Sequence, residues 1–342
     1  MRRGEKITVL VTGVFDGLHA AHREFLGKAR EAGEYLIVGI ENDERVRELK
    51  GEGRPMFGER ERARVIEKLQ LADEVLILPK GMEKREVQEK VLAEIHPDIL
   101  AVSSNSENLL IKKKAMEKMG GEMIIVMMHQ PLFSSSRIWQ QIKRRELSSR
   151  TWRDLKQEIL LLLAQGEIVV FPTDTIYGVL ADATNEKAVN KVMEFKQRMD
   201  DKTVSMAVAD MAMAKEYVVM TGKLEELYAE KLPGAFTIIS PLREPTRLAR
   251  WMVKDKTVGV RIPDFPPLLD LVRDFGVPVT ITSANSSGAP SAHSLGEILP
   301  FLSEEQLKQV AMMVDAGELP NNPPSTIIDA TKEKLRIRKR TV

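Results

Sequence analysis

The chain contains no cysteine, which excludes disulfide scaffolds, thiolate zinc sites and cysteine nucleophiles together. It has no excess of charge: 51 Lys and Arg face 50 Asp and Glu. Basic and acidic residues number 27 and 24 up to residue 150, and 24 and 26 after it. A protein that lives on duplex phosphates has a more basic balance. Long hydrophobic runs are also missing. Stretches such as Ile159–Ala164 fall far short of the roughly eighteen residues that cross a bilayer. Met1-Arg2-Arg3 is followed only by the short run Ile7–Val14 and a Gly/Asp turn, which is too little for a signal peptide. The expected location is the cytoplasm, with no membrane partner. What is present is 342 residues, 43% hydrophobic and 30% charged, the composition of a folded chain long enough for two domains.

The first half alternates β-branched runs with amphipathic segments. Ile7–Val11, Tyr35–Ile40, Glu74–Leu78, Ile99–Val102 and Met123–Val126 read as strands. His19–Ala32, Glu59–Leu71, Lys84–Ile95 and Ser106–Met119 read as helices. Apolar strands alternating with helices predict a parallel sheet covered on both faces, with ligands beyond the strand carboxyl ends. The loops after Val11 and Val102, and the segment before Ile138, are the places to look for chemistry. The polar run Lys143–Arg150 reads as a solvated helix end and linker, giving domains at 1–147 and 148–342. The second half opens with a helix, Trp152–Ala164. Strands are expected at Ile168–Phe171, Val204–Val208, Phe236–Ser240, Val258–Ile262, Val277–Thr282, Ala311–Val314 and Thr326–Asp329. Their irregular spacing suggests a mixed sheet and not a repeat of the first domain.

After the first strand comes Gly13-Val14-Phe15-Asp16-Gly17-Leu18-His19-Ala20-Ala21-His22. Two histidines three apart at a helix start share one face beside the positive end of the helix dipole. That pair suits a nucleoside triphosphate, although two surface histidines would read the same way. The wider stretch resembles the cytidylyltransferase-like nucleotidyltransferases, a resemblance that continues through Leu49-Lys50-Gly51-Glu52-Gly53-Arg54-Pro55, Arg62 and Ser134-Ser135-Ser136-Arg137. The Leu49–Pro55 run looks closest to an adenylyltransferase domain that activates heptose phosphates. The resemblance implies a Rossmann-like domain in which Phe15 and Asp16 belong to the nucleotide site. His19 and His22 would contact the phosphates, Lys50 would reach the triphosphate, and Ser135, Ser136 and Arg137 would hold its outer groups. The acceptor is not readable from these residues, with a phosphorylated sugar or polyol as one candidate. Two residue choices depart from the family: Ala21 replaces a glycine, and Ser103-Ser104-Asn105-Ser106 replaces a loop of glycines and an Asp.

The second half carries Phe171-Pro172-Thr173-Asp174-Thr175-Ile176-Tyr177-Gly178, then Lys196 and Arg198, then Lys202. Further on lie Leu232-Pro233-Gly234-Ala235-Phe236-Thr237, Val260-Arg261-Ile262-Pro263, Thr282-Ser283-Ala284-Asn285 and Ser325-Thr326. Cations and hydroxyls at strand ends could converge on a polyanion beside an amino-acid-sized ligand. The one histidine of this half, His293, reads as a surface loop residue.

These motifs, in this order, resemble the YrdC family, which makes L-threonylcarbamoyl-adenylate from L-threonine, bicarbonate and ATP with release of pyrophosphate. The product serves partner proteins that modify tRNA. The resemblance implies a YrdC-like α/β domain with a mixed twisted sheet. Lys196, Arg198 and Lys202 would bind the triphosphate, and Ser283, Asn285 and Arg261 would support phosphate and carbamate. Thr173, Thr175, Tyr177, Thr237 and Thr282 would line the substrate pocket, and Ser325 would close it. Mg²⁺ is expected with the ATP, with its ligands unassigned. Thr203 stands where the family has proline, Val179 replaces a Leu, Ala181 lies where many members differ, and the basic tail Lys332–Arg340 reads as a last strand. Two other readings stay open: a sugar- or polyol-phosphate nucleotidyltransferase with a regulatory second domain, and a non-catalytic tRNA- or nucleotide-binding protein.

Overall fold

The computed structural model describes residues 6–104, 106, 108–127, 143–197, 202–285, 291–332 and 334–339. The chain divides into two compact units, Met1–Arg137 and Ile138–Val342. In the first, strands β1 (Thr8–Gly13), β2 (Tyr35–Ile40), β3 (Glu74–Ile77), β4 (Ile99–Ser103) and β5 (Glu122–Met127) form one sheet. Its order is β3-β2-β1-β4-β5 and every pairing is parallel. Successive side chains point to opposite faces, so Val9, Val11, Leu36 and Val38 pack with Phe25, Leu26, Val65 and Ile66 on one side. Leu10, Ile37, Leu100 and Val102 pack with Leu92 and Met116 on the other. Both faces are therefore covered by helices, which is why the strands read as unbroken apolar runs. Strand order reverses between β1 and β4, which opens a crevice beyond Gly13 and Ser103. The helix Asp43–Lys50 was not foreseen; only Val46 of it is buried, so it carries almost no apolar pattern.

The second unit is a mixed sheet. Its strands are β6 (Arg144–Glu146), β7 (Ile168–Phe171), β8 (Gly178–Leu180), β9 (Ser205–Ala207), β10 (Phe236–Pro241) and β11 (Val253–Lys254), followed by β12 (Thr257–Arg261), β13 (Val279–Ser283), β14 (Val310–Asp315), β15 (Thr326–Asp329) and β16 (Arg336–Arg338). They are ordered β16-β15-β10-β12-β9-β13-β8-β7-β14-β6, with β11 on β12. The basic run expected as a connector supplies β6, which pairs in parallel with β14. Arg144 is held there by an ion pair with buried Asp315. The basic tail supplies the edge strand β16, antiparallel to β15.

Leu155, Ile159 and Leu163 lie on one stripe of helix Trp152–Ala164. They share a core with Leu268, Leu271 and Val272 and with Val169, Phe171, Met312 and Val314 of the sheet. Across β10, β12 and β15, the residues Ile238, Val258, Val260 and Ile328 are buried. The alternate residues Thr237, Ile239, Thr257, Gly259, Arg261, Ile327 and Asp329 face a cavity instead. Apart from Ile239 and Ile327 this second set is small or polar, so one face of the sheet offers groups that can meet a polar ligand.

Candidate functional site

In the first unit, His19 caps the helix Ala20–Glu31. Its backbone N–H donates to Nδ1 of His22 at 3.4 Å, and the two rings stack 3.9 Å apart. Burial, and secondarily the charge of Lys50, lower the His19 pKa to about 4. Burial, His19 and Lys50, in that order, hold His22 well below the ordinary value. Both rings are therefore neutral near pH 7. Nδ1 of His19 is buried without a hydrogen-bond partner among the described residues. Phe15, with φ +49°, turns its ring edge to His22 at 5.5 Å.

Asp16 does not reach this pair. Fully buried, it accepts from Arg54 at 2.6 Å and from the backbone N–H groups of Met56 and Phe57 at 2.8 and 3.1 Å. Its carboxylate fixes the run that follows Lys50. Buried Arg62, which sequence reasoning listed only as part of the resemblance, donates to Val14 O, Phe57 O and Asp43 Oδ1 at 2.5, 2.9 and 2.7 Å. One guanidinium thus ties together three loops at the carboxyl end of the sheet. At the departing positions, Ala21 is buried, and Lys112 donates to Ser106 Oγ at 2.7 Å, while Asn105 lies outside the described residues. Ser135, Ser136 and Arg137 lie outside the described residues.

In the second unit, a cavity of about 840 Å³ collects Thr173, Thr175, Tyr177, Lys202, Thr237 and Arg261 together with Thr282, Ser283 and Ser325. Arg261 is buried; burial lowers its pKa while Asp174 opposes the shift. It donates to Asp174 Oδ1 at 2.7 Å and to Thr175 Oγ1 at 3.0 Å. Thr173 Oγ1 accepts from the N–H groups of Thr175 and Ile176 at 3.1 and 3.3 Å, which makes the hydroxyl-rich turn rigid. Thr237 lies one step beyond the Ile238–Val260 pair of the antiparallel β10–β12 register, and hence opposite Arg261. Its hydroxyl meets that of Ser325 at 2.8 Å. The result is a polar corner with one guanidinium and several oriented hydroxyls.

Gly259 forms the floor between Thr237 and Ser205. A Cβ there would stand 2.7 Å from Ser205 Oγ. Sequence reasoning missed Lys254, Lys332 and Arg338, which also line the cavity with Asp255 and Asp329. The basic tail was the available signal; its strand pairing is what brings Arg338 to the rim.

Lys196 and Asn285 belong to one hydrogen-bonded network. Lys196 is fully buried at the end of helix Glu186–Phe195. Its ammonium donates to Ser283 O at 2.6 Å, Ser283 Oγ at 3.2 Å, Asn285 Oδ1 at 2.8 Å and the backbone carbonyl of Asn285. Ser283 Oγ donates to Asn285 Oδ1 at 2.5 Å. Neither Lys196 nor Asn285 lines the cavity; they shape the loop that presents Ser283. Tyr177 also points its hydroxyl elsewhere, donating to Gly317 O at 2.8 Å and accepting from Ala316 N–H at 2.9 Å. Arg198 lies outside the described residues. His293, expected on the surface, is 1% exposed, because the segment before β15 covers it.

A model of the Sua5–YciO–YrdC family, described as telomere recombination, matches residues 161–341. The chain belongs to that family. A cytidylyltransferase-like model matches residues 10–155. The chain is 38% identical over 182 residues to a putative threonylcarbamoyl-AMP synthase of Methanocaldococcus jannaschii, covering 53% of this chain and 81% of that one. It is 33% identical over 176 residues to the threonylcarbamoyl-AMP synthase of Bacillus subtilis, covering 50% of this chain and 49% of that one. Among solved structures, P. abyssi Sua5 complexed with L-threonine superposes with a TM-score of 0.51 at 26% identity, covering 57% of this chain and 56% of that one. The chain thus spans about half the length of the Bacillus and Pyrococcus proteins. Among the described residues, no helix is long and apolar enough to cross a membrane.

Two outcomes follow from the geometry. Replacing Lys196 by Met strips donors from four oxygens, two of them backbone carbonyls. It should cost about 3 kcal/mol and lower the melting temperature of the second unit by roughly 6–12 °C. The fluorescence of Trp152 and Trp251 would report the shift, whereas a lysine that only binds phosphate would leave it unchanged. Because the folded pKa of His19 lies below its unfolded value of 6.5, the unfolded chain takes up the proton first. The contribution of the neutral ring is complete above about pH 6.5 and declines as pH falls toward 4, by about 2–3 kcal/mol. Urea titrations at pH 7 and 4.5, read by amide exchange of Thr8–Gly13, should show that loss, and His19→Gln should reduce it.

Proposed function

We propose that the second unit makes L-threonylcarbamoyl-adenylate from L-threonine, bicarbonate and ATP, releasing pyrophosphate. The observation that carries the reading is the single cavity, in a chain of this family, joining an amino-acid-sized polar corner to a cationic rim. The threonine carboxylate suits Arg261, and its hydroxyl and amine suit the oxygens of Thr175, Thr237 and Ser325. Lys202, Lys254, Lys332 and Arg338 supply positive charge for a triphosphate. The amine adds to carbon dioxide derived from bicarbonate and loses a proton, giving a carbamate. A carbamate oxygen then forms a bond to the α-phosphorus as the bond to the β-phosphate breaks, and pyrophosphate leaves. No side chain need form a covalent bond. Rigid placement of the two substrates and neutralisation of phosphate charge provide the acceleration.

Mg²⁺ holds few protein ligands and binds largely through phosphates and water. Asp255 and Asp329 in the cavity are the carboxylates that would hold it, and it would offset the charge of the triphosphate. The mixed anhydride product suits transfer to an adenosine of tRNA by partner proteins.

The first unit is proposed to bind a nucleoside triphosphate and pass its nucleotidyl group to an acceptor that its residues do not identify. The buried, unpartnered Nδ1 of His19 at a helix start favours this second activity.

Threonine- and bicarbonate-dependent pyrophosphate release from ATP, with labelled bicarbonate entering the nucleotide product, tests the main reading. Absence of threonine dependence would overturn it. Gly259→Val, which fills the floor, should lower kcat/KM at least about a hundredfold, the effect of roughly 3 kcal/mol of overpacking in a binding site, with an unchanged circular dichroism spectrum.

A further inference from the structure

The segment Ala316–Ser325 runs from the end of β14 to the start of β15 and brings Pro324 and Ser325 to the cavity wall. It contains no helix or strand, so its position depends on what holds it. At its start the Tyr177 hydroxyl takes Ala316 N–H and donates to Gly317 O. In its middle a single residue holds it twice. His293 O accepts from Leu319 N–H at 2.8 Å, and His293 Nε2 lies 2.9 Å from Asn322 O. A carbonyl can only accept, so Nε2 carries the proton. Asn322 in turn donates from its side chain to Asp174 O at 3.2 Å, and Asp174 is the residue that pairs with Arg261.

The histidine is itself fixed. Its N–H donates to Glu297 Oε2 at 2.9 Å, and Glu297 is also buried. Ala292 O, one residue earlier, accepts from Tyr177 N–H at 3.2 Å. The ring therefore stands between the segment that carries Ser325 and the turn that carries Asp174 and Thr175, and bonds to the first directly and to the second through Asn322. Its position is buried, polar and outside the cavity, which neither core packing nor substrate contact accounts for.

We propose that His293 is a positioning residue for the amino-acid corner: its Nε2–H holds Asn322, and through it aligns Ser325 and the Asp174–Arg261 pair for threonine. The proposal rests on the threonine reading given above. It predicts an effect on threonine and not on ATP, because the cationic rim is supplied by other elements. His293→Leu removes the donor and should raise KM for threonine about tenfold, the value of one lost hydrogen bond. KM for ATP and kcat should stay within about threefold. His293→Gln, which can still donate to Asn322 O, should restore KM for threonine to within about threefold of the parent. A general structural role would move both KM values and kcat together, and no role would leave all three unchanged; either result overturns the proposal. Amide exchange of residues 317–325 gives a reading that does not need the activity. It should accelerate about tenfold in His293→Leu and not in His293→Gln. Unaltered exchange would overturn the tether itself, whereas failure of the parent protein to use threonine would overturn only the substrate reading.

Discussion

One buried ammonium governs the second site. Lys196 gathers the backbone and side chains of Ser283 and Asn285 around a single charge. A charge removed from water is tolerable only where hydrogen bonds replace its hydration, so the loop has little choice of conformation. That constraint places Ser283 at the cavity and, by the β13–β8 pairing of Ser283 with Gly178, sets the end of the hydroxyl-rich turn. The first unit repeats the idea with a guanidinium, since Arg62 joins the segments that follow β1 and β2 to Phe57 in the connection before its own helix. In both halves a deeply buried cation organises backbone.

The sheet explains why the site has its shape. A central strand usually buries both faces, yet β10, β12 and β15 bury one face in apolar contacts and present hydroxyls, a glycine, an arginine and an aspartate on the other. Gly259 is the minimum of that surface. Its missing side chain lets Ser205 and Thr237 stand close on either side and leaves depth in the cavity. The electrostatic design is local, which is why a formal net charge of +1 coexists with a cluster of cations on one rim.

Much of this was legible in the sequence. Strands β2, β7 and β15 and the helix Trp152–Ala164 fall at the expected residues, because apolar periodicity there is unbroken. The motif residues Thr173, Thr175, Lys202, Arg261 and Ser325 do share a cavity. What escaped was whatever depends on distant partners. Arg144–Glu146 has no strand pattern of its own and pairs because β14 offers an edge. Gly178–Leu180 is three residues long and was absorbed into a turn. His293 sits in a polar stretch that reads as exposed, and only the covering segment makes it internal. Lys196 and Asp16 have the residue types of ligands, and nothing local in the sequence shows the bonds that each makes within its own chain.

The strand β16 closes the sheet on one side, and its charged residues bear on association as well as on ligands. Arg336 and Arg338 alternate with exposed Ile337 along an edge that is unpaired among the described residues. An edge with free N–H and C=O groups invites another strand to add to it, and positive charge is a standard deterrent. The arginine at the rim of the cavity therefore also guards against sheet-to-sheet aggregation. Charge on this short strand thus bears on colloidal behaviour as well as on the cavity, and a neutral replacement that still fits the cavity would leave the edge more open to pairing.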